Sequence, residues 1–420
     1  MRVEIISIGD ELLIGQVVNS NAAWMGRELT QQGFNITAVT SVGDQGDDII
    51  RAIDHAFGRA DIILLTGGVG PTTDDITKHT LCRYFHTALE FNDDVLQQIE
   101  SLFLKRNIQL NQLTRKQAYV PVGATVIQNK VGTAPILWFR KEEKVLISMP
   151  GVPFEMRTTM LDDIIPRLQA EFQADRYLQR TYLVSGITES ALATRLAGFE
   201  TLLPAGFTLA YLPSFGFVRL RLSVWGETRK PEMKQQGRKL KLLLGKEFVA
   251  RSEKRIEALL GEKLRKQQLT VSTAESCTGG YIAHLITAVP GASDYFEGSI
   301  VSYDNRIKEE LLDVDKQTIE RDGAVSREVV EQMARNVACK FNTECSIAVS
   351  GIMGPEGGTR EKPVGTVWIC TKHANELNSV EYHVGSSREE NIERTANLAI
   401  IQLLKMVTPK GENQMDVKPQ

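Results

Sequence analysis

Ser276 and Cys277 stand side by side in the run Thr273-Ala274-Glu275-Ser276-Cys277-Thr278-Gly279-Gly280. A hydroxyl or thiol becomes a nucleophile when a base or a positive environment activates it. The run follows the apolar Leu269-Thr270-Val271 and precedes Tyr281–Ile286, which has helical spacing. The pair therefore falls where a strand turns into a helix. Gly279 and Gly280 let a substrate approach the backbone closely. A helix start adds free N–H groups and a positive dipole end, suited to an anion or oxyanion. A Ser/Thr-rich turn that only caps a helix fits the same residues.

Two further segments carry compatible groups. Gly298–Lys308 reads as an apolar strand ending at Tyr303, with Asp304 as a helix cap, followed by Asn305, Arg306 and Lys308. A phenol and an ammonium would then flank one helix start. A lysine kept neutral, or one that lowers a tyrosine pKa, can take the proton of a serine. The alternative is a solvated lysine and a core tyrosine. The second segment, Ser350–Thr359, holds Gly351, Gly354, Gly357, Gly358 and Thr359 between two strands. It is long enough to wrap a phosphate, and it also fits a structural loop. No histidine lies within these motifs, so Cys277 lacks the partner of a Cys–His pair.

The N-terminal part has its own glycine-rich turn, Thr66-Gly67-Gly68-Val69-Gly70-Pro71-Thr72-Thr73-Asp74-Asp75-Ile76-Thr77. Glycines expose backbone N–H groups, and a helix start favours phosphate. Asp74 and Asp75 would repel phosphate unless a divalent cation bridges them. A cap by one of them is the plainer reading. Asp10, Glu11, Asn19, Asn129, Gly132, Gly151 and Glu155 lie in other turns that could border the same ligand.

These groups need elements to hold them. Residues 1–170 alternate apolar strands with amphipathic helices, which predicts a mostly parallel sheet covered on both faces. Residues 171–250 change texture, and Arg219–Val224 alternates strictly, as in an antiparallel sheet. Strand–helix alternation returns over 251–408, and 409–420 is a polar tail. The fold class is thus α/β: two α/β domains with mainly parallel sheets, joined by a small α+β domain. A length of 420 residues fits several domains. A net charge of −3, without a basic motif interleaved with aromatics, argues against direct nucleic-acid contact. Five cysteines without CxxC spacing argue against a disulfide framework or structural zinc and fit a cytoplasmic protein. No apolar run is long enough for a membrane span.

Gly9-Asp10-Glu11-Leu12-Leu13, the Gly67–Thr72 turn with Asp74-Asp75, and Met149–Pro153 with Glu155 resemble the molybdopterin-binding-like domain of the competence/damage-inducible protein A (CinA) family. The resemblance implies a pocket for a phosphorylated ligand, formed by Asp10, Glu11, Asn19, Gly67, Gly68, Gly70, Pro71, Thr72, Thr77, Asn129, Gly132, Gly151 and Glu155. It further implies metal-dependent ADP-ribose pyrophosphatase activity with Asp74 and Asp75 on a divalent ion. The relatives in molybdenum-cofactor synthesis suggest a pterin-binding module instead.

Residues 255–405 resemble nicotinamide-nucleotide amidase, found alone or at the C-terminus of CinA proteins. The matches are Ala274–Gly280, Ser302-Tyr303 with Asn305 and Lys308, Gly323–Ser326, and Ser350–Ile352 through Gly365–Val367. The resemblance implies hydrolysis of nicotinamide mononucleotide to nicotinate mononucleotide and ammonia, in pyridine nucleotide salvage. By it Ser276 is the nucleophile and Tyr303 and Lys308 its activating partners, with no cofactor. Glu275, Cys277, Thr278, Gly279, Gly280, Asn305, Arg306, Gly351, Gly354, Gly357, Gly358 and Thr359 would surround the substrate. Arg306 is a candidate for depressing the Lys308 pKa. Met353 and Glu356 stand where small residues are expected, and Ser387 where aspartate is common. These changes would weaken substrate binding if they bordered the phosphate. A homodimer is the expected assembly. A non-enzymatic accessory role in competence or DNA damage is the alternative from the family name.

Overall fold

The computed structural model describes residues 1–72 and 75–408. The chain divides into two compact units, one of residues 1–178 with 225–229, the other of residues 179–224 and those from 230 on.

The first unit starts with β1 (Arg2–Ile8), α1 (Ser20–Gln31), β2 (Asn35–Val42), α2 (Gly46–Arg59), β3 (Ile62–Thr66), α3 (Thr77–Tyr84) and α4 (Asp93–Lys105). It continues with β4 (Thr125–Ile127), β5 (Ile136–Lys141), β6 (Lys144–Met149), α5 (Pro153–Thr159) and α6 (Ile165–Glu171), the last two joined by a π turn. The sheet order is β2-β1-β3-β6-β5-β4. β1, β2, β3 and β6 are parallel, whereas β5 runs antiparallel to β6 and to β4. Alternation along β1 explains the two layers. Val3 and Ile5 join the core beneath α1 and α5, while Ile6 and Ile8 join the one beneath α2. α2 earns its place through Ile49, Ala52, Ile53, Ala56 and Phe57, a single apolar face at helical spacing. The β5–β6 hairpin escapes a simple strand–helix reading because its tight turn leaves no helix between the strands.

The second unit holds two sheets. The smaller contains β7 (Tyr177–Val184), β8 (Thr208–Ser214), β9 (Phe217–Trp225) and β10 (Phe248–Arg251), with α7 (Glu189–Thr201) and α8 (Lys230–Leu244). Its order is β8-β9-β7-β10, and the β8–β9 and β7–β10 pairs are antiparallel. The larger is built from α9 (Ile256–Gln267), β11 (Val271–Glu275), α10 (Tyr281–Thr287), β12 (Phe296–Val301), α11 (Asn305–Leu312), α12 (Lys316–Asp322), α13 (Arg327–Phe341), β13 (Cys345–Gly351), β14 (Thr366–His373), β15 (Glu376–His383) and α14 (Arg388–Met406). Its order is β12-β11-β13-β14-β15. The first three strands are parallel and the last two form an antiparallel hairpin. β15 is an edge strand of half-exposed, alternating polar residues, so no apolar run announces it. α14 is buried nearly all round from Thr395 to Leu404, which seats it against the sheet.

The molecule is thus an α/β protein with mixed, largely parallel main sheets. No helix among the described residues is long and apolar enough to cross a membrane. The expected tail, 409–420, and Asp74 lie outside the described residues.

Candidate active site

β11 and β13 are neighbours at the centre of the larger sheet, and their carboxyl ends carry the Ser276 turn and the glycine-rich loop. Glu275 organises the turn. It is 0% exposed, and its carboxylate accepts from the N–H groups of Gly280 (3.1 Å), Ile282 (3.0 Å) and Ala283 (2.8 Å) and from Thr278 Oγ1 (2.6 Å). This carboxylate therefore caps α10 and is spent before any substrate arrives, contrary to its expected place in substrate binding. Gly279 and Gly280 take φ of 61° and 97°, the left-handed region that lets the chain double back into α10.

Ser276 is buried, with its N–H held by the Val349 carbonyl at 3.1 Å. Among the described residues its hydroxyl makes no hydrogen bond, and the N–H groups of Cys277 and Thr278 donate to no other residue. A hydroxyl beside N–H groups that no other residue takes up is the arrangement an acyl-transfer centre needs. Burial pushes the Cys277 thiol up to about 12. Such a thiol is neutral and a poor nucleophile.

Lys308 projects from α11 and is 1% exposed. Its ammonium donates to the carbonyls of Ser302 (2.8 Å) and Tyr303 (3.3 Å), and no hydrogen bond joins it to Ser276 among the described residues. Burial lowers its pKa, partly offset by Cys277 and Asp304, so the lysine sits within electrostatic reach of the Ser276-Cys277 turn. The N–H of Ser302 also bonds the Glu275 carbonyl at 2.7 Å, tying β12's end to that turn.

Three residues differ from expectation. Tyr303 is 60% exposed, and its phenol accepts from Arg388 at 2.7 Å; only its backbone carbonyl meets Lys308. Arg306 pairs with Glu310 one turn along the exposed face of α11 and has no part in the Lys308 shift. Asn305 is exposed at the first position of the same helix.

The glycine-rich loop folds onto itself. Ile352 and Gly365 bond each other's surroundings through Ile352 N–H to Thr366 and Gly365 N–H to Ile352, and Thr359 closes a turn with Lys362. Gly354 and Gly357 have φ of 84° and 89°, and a side chain at Gly351, Gly354 or Gly358 would strike Val367 or Val364. Three side chains outside the predicted set fasten it. Arg388 donates to the Gly354 carbonyl at 2.8 Å, Asn391 to that of Met353 at 3.0 Å, and Lys362 to those of Asp322 and Val325 at 2.8 Å. Met353 lies in the hydrophobic core, so its bulk does not border a phosphate. Glu356 is exposed. Ser387 caps α14 by accepting from Glu390 N–H, a role serine and aspartate share.

In the first unit the carboxyl ends of β1, β3 and β6 are level, since Ser7 pairs with Thr66 and Thr66 with Met149. Gly67, Gly68 and Gly151 form a tight floor there. A side chain at Gly67 would strike the Ile8 carbonyl, and one at Gly68 the Thr77 hydroxyl. Gly151 stands against the Gly67 backbone. Thr77 fixes the floor through Gly67 and Gly68 carbonyls. Asn21, absent from the sequence reading, holds the Gly151 carbonyl at 2.7 Å. Lys78 and Gln117 were also missed. The buried Lys78 donates to Gln117, whose amide supports the Val69 carbonyl, and burial draws Lys78 down to about 8.

Other expected ligand groups have structural duties. Asn19 caps α1. Asn129 is buried and bonds Ala134, Glu155, Val131 and Gly132, so Asn129, Gly132 and Glu155 form one internal knot. Asp10 and Asp44 cap each other's N–H groups, and Glu11 lies against Gly9. Asp75 accepts from Thr72 N–H and Oγ1, with Gly70 packed beside its carboxylate and Pro71 exposed. Among the described residues no three His, Cys, Asp or Glu side chains are grouped to hold a metal ion. Asp74, the second carboxylate expected on a divalent ion, lies outside the described residues. The five cysteines are free.

Comparison with known proteins agrees with this organisation. The family model described as "CinA C-terminal domain" matches residues 253–407, and that described as "Probable molybdopterin binding domain" matches residues 4–170. A CinA-like protein of Cytophaga hutchinsonii is 43% identical over 405 residues, covering 96% of this chain and 97% of the relative. One from Flavobacterium psychrophilum is 40% identical over 414 residues, covering 97% and 99%. A crystal structure of the competence/damage inducible protein CihA from Agrobacterium tumefaciens is 36% identical, covers 37% of this chain and 96% of its own, and has a TM-score of 0.35. Near-complete coverage at this identity carries the conclusion: the chain belongs to the CinA family, with an N-terminal molybdopterin-binding-like domain and a CinA C-terminal domain.

Proposed function

We propose that the C-terminal domain hydrolyses the carboxamide of nicotinamide mononucleotide. The observation that carries this reading is an unengaged Ser276 hydroxyl in a turn whose Cys277 and Thr278 N–H groups donate to no other residue, within electrostatic reach of a buried lysine of lowered pKa. Ser276 Oγ attacks the amide carbon and gives its proton to a neutral Lys308, which must swing from the Ser302 and Tyr303 carbonyls. The N–H groups of Cys277 and Thr278 receive the oxyanion; one such donor is worth about 3–4 kcal/mol. Collapse breaks the C–N bond, and Lys308 returns the proton to the leaving ammonia. Water then adds to the acyl-serine ester and releases nicotinate mononucleotide. Ammonia release decides the assignment. Ser276→Ala should abolish it and Cys277→Ala should leave much of it; the reverse pattern rejects the reading.

The N-terminal glycine floor, with Lys78 buried against its support, favours a second reading: a site for a pyrophosphate-bearing ligand, with ADP-ribose as the substrate. AMP formation is assayed with divalent metal and with chelator. Pterin binding without AMP formation in any metal would favour a cofactor-binding module.

A further inference from the structure

A cavity of roughly 660 Å³ lies in the second unit, walled by β7, α8, β10, α9 and the end of α14, and no residue of the Ser276 turn or of the Ser350–Thr359 loop lines it. Among the described residues that line it are seven Lys or Arg side chains and one carboxylate, Glu262, which already pairs with Lys254. Arg180, Arg238 and Lys241 have no carboxylate partner among the described residues, and Lys246 feels only its chain neighbour Glu247, which already pairs with Arg195. The whole chain carries a net charge of −3, so this concentration of positive charge opposes the protein's overall sign.

The fold builds the cluster. Arg238 and Lys241 are three residues apart on α8, hence on one helix face. Gly237 between α8 and β7 has no room for a side chain, because Tyr182 occupies that space; its absence draws the helix, and Arg238 with it, onto the strand that carries Arg180. Concentrating like charges in a concave wall is unfavourable unless an anion neutralises them, and such walls focus the field on an incoming ligand.

We propose that this cavity binds a phosphorylated small molecule of nucleotide size. Its volume falls within the range of small-molecule sites, about 300–1,000 Å³. Val249, Leu259 and Leu404 supply an apolar wall for the part of the ligand without charge. A single-stranded nucleic acid would need exposed ring faces for stacking bases. Here the two aromatic rings of the wall, Tyr182 and Phe248, are both buried, and Phe248 is already covered by the Lys241 ammonium at 5.1 Å.

The test titrates the full-length protein with ATP and, separately, inorganic tripolyphosphate at low salt, following binding by calorimetry. Arg238→Glu with Lys241→Glu is compared with the parent, since both side chains lie outside the core and a thermal melt checks the fold. The proposal expects affinity for both probes to fall about tenfold or more, with melting and ammonia release unchanged. Arg180→Gln should weaken both probes in the same direction. Equal affinity in parent and double variant would overturn it, as would no binding of either probe. Tighter binding of a single-stranded oligonucleotide than of ATP, lost in the double variant, would also overturn it by making the cluster a nucleic-acid surface.

Discussion

The Arg388 guanidinium donates to the Tyr303 hydroxyl at 2.7 Å while its other nitrogen holds the Gly354 carbonyl at 2.8 Å. The residue at the start of α14 thus joins the end of the β12 segment to the glycine-rich loop. Arg388→Ala should lower kcat/KM for nicotinamide mononucleotide about tenfold, because the loop and the phenol lose their shared anchor. Arg388→Lys should recover only part of it, since one ammonium cannot reproduce the planar fork. Steady-state kinetics on the three proteins checks this; lysine activity equal to the parent would refute the bridging role.

Lys308 must be neutral to accept the Ser276 proton. Burial lowers its pKa, so kcat/KM should rise with pH and level off below the ordinary lysine value of about 10.4. Lys308→Met and Lys308→Arg should each lose roughly a hundredfold or more in kcat. The sign for stability follows from the same shift. A lysine with a depressed folded pKa is penalised in full below that pKa, and the penalty is relieved as pH rises toward the unfolded value. The Tm difference between Lys308→Met and the parent should therefore move in the variant's favour as pH falls.

Cys277 should react slowly despite lying next to the nucleophile. With its thiol pushed up to about 12, its thiolate fraction at pH 8 is roughly a thousandfold below that of an ordinary cysteine. Cys339 is exposed and should be alkylated first. Peptide mapping after brief iodoacetamide treatment reads the order.

Glu275→Gln keeps the side-chain shape but sets an NH2 group among five donors. It should destabilise the protein by about 3 kcal/mol, the scale of lost charge-assisted bonds and stranded N–H groups. Urea unfolding measures this. Ammonia release should fall as well, because the carboxylate shapes the turn that presents Ser276.

Gly67→Ala places a methyl group against the Ile8 carbonyl at φ 112°, costing about 1–3 kcal/mol locally. ADP-ribose binding should be lost while ammonia release continues. Loss of both activities in a folded variant would show that the two sites depend on each other.

Local patterns exposed the main outlines in the sequence. The apolar runs of β1, β3 and β13, the helical spacing of α2 and the glycines at strand ends all act over a few residues, so their meaning survives without tertiary contacts. They marked the α/β class and the Ser276 turn. The direction of side chains was another matter. Tertiary structure turned Tyr303 toward Arg388, 85 residues on. It also turned Glu275 inward to the start of α10, although that distance is short in sequence, because a buried carboxylate takes whichever donors remain unpaired. The positive cavity arises from side chains on β7, α8 and β10 that only packing brings together. The sequence by itself determined which chemical groups are available and at which strand ends they stand. Only the tertiary structure decided which of them remain free to meet a ligand, because hydrogen bonding and burial are settled among neighbours in space.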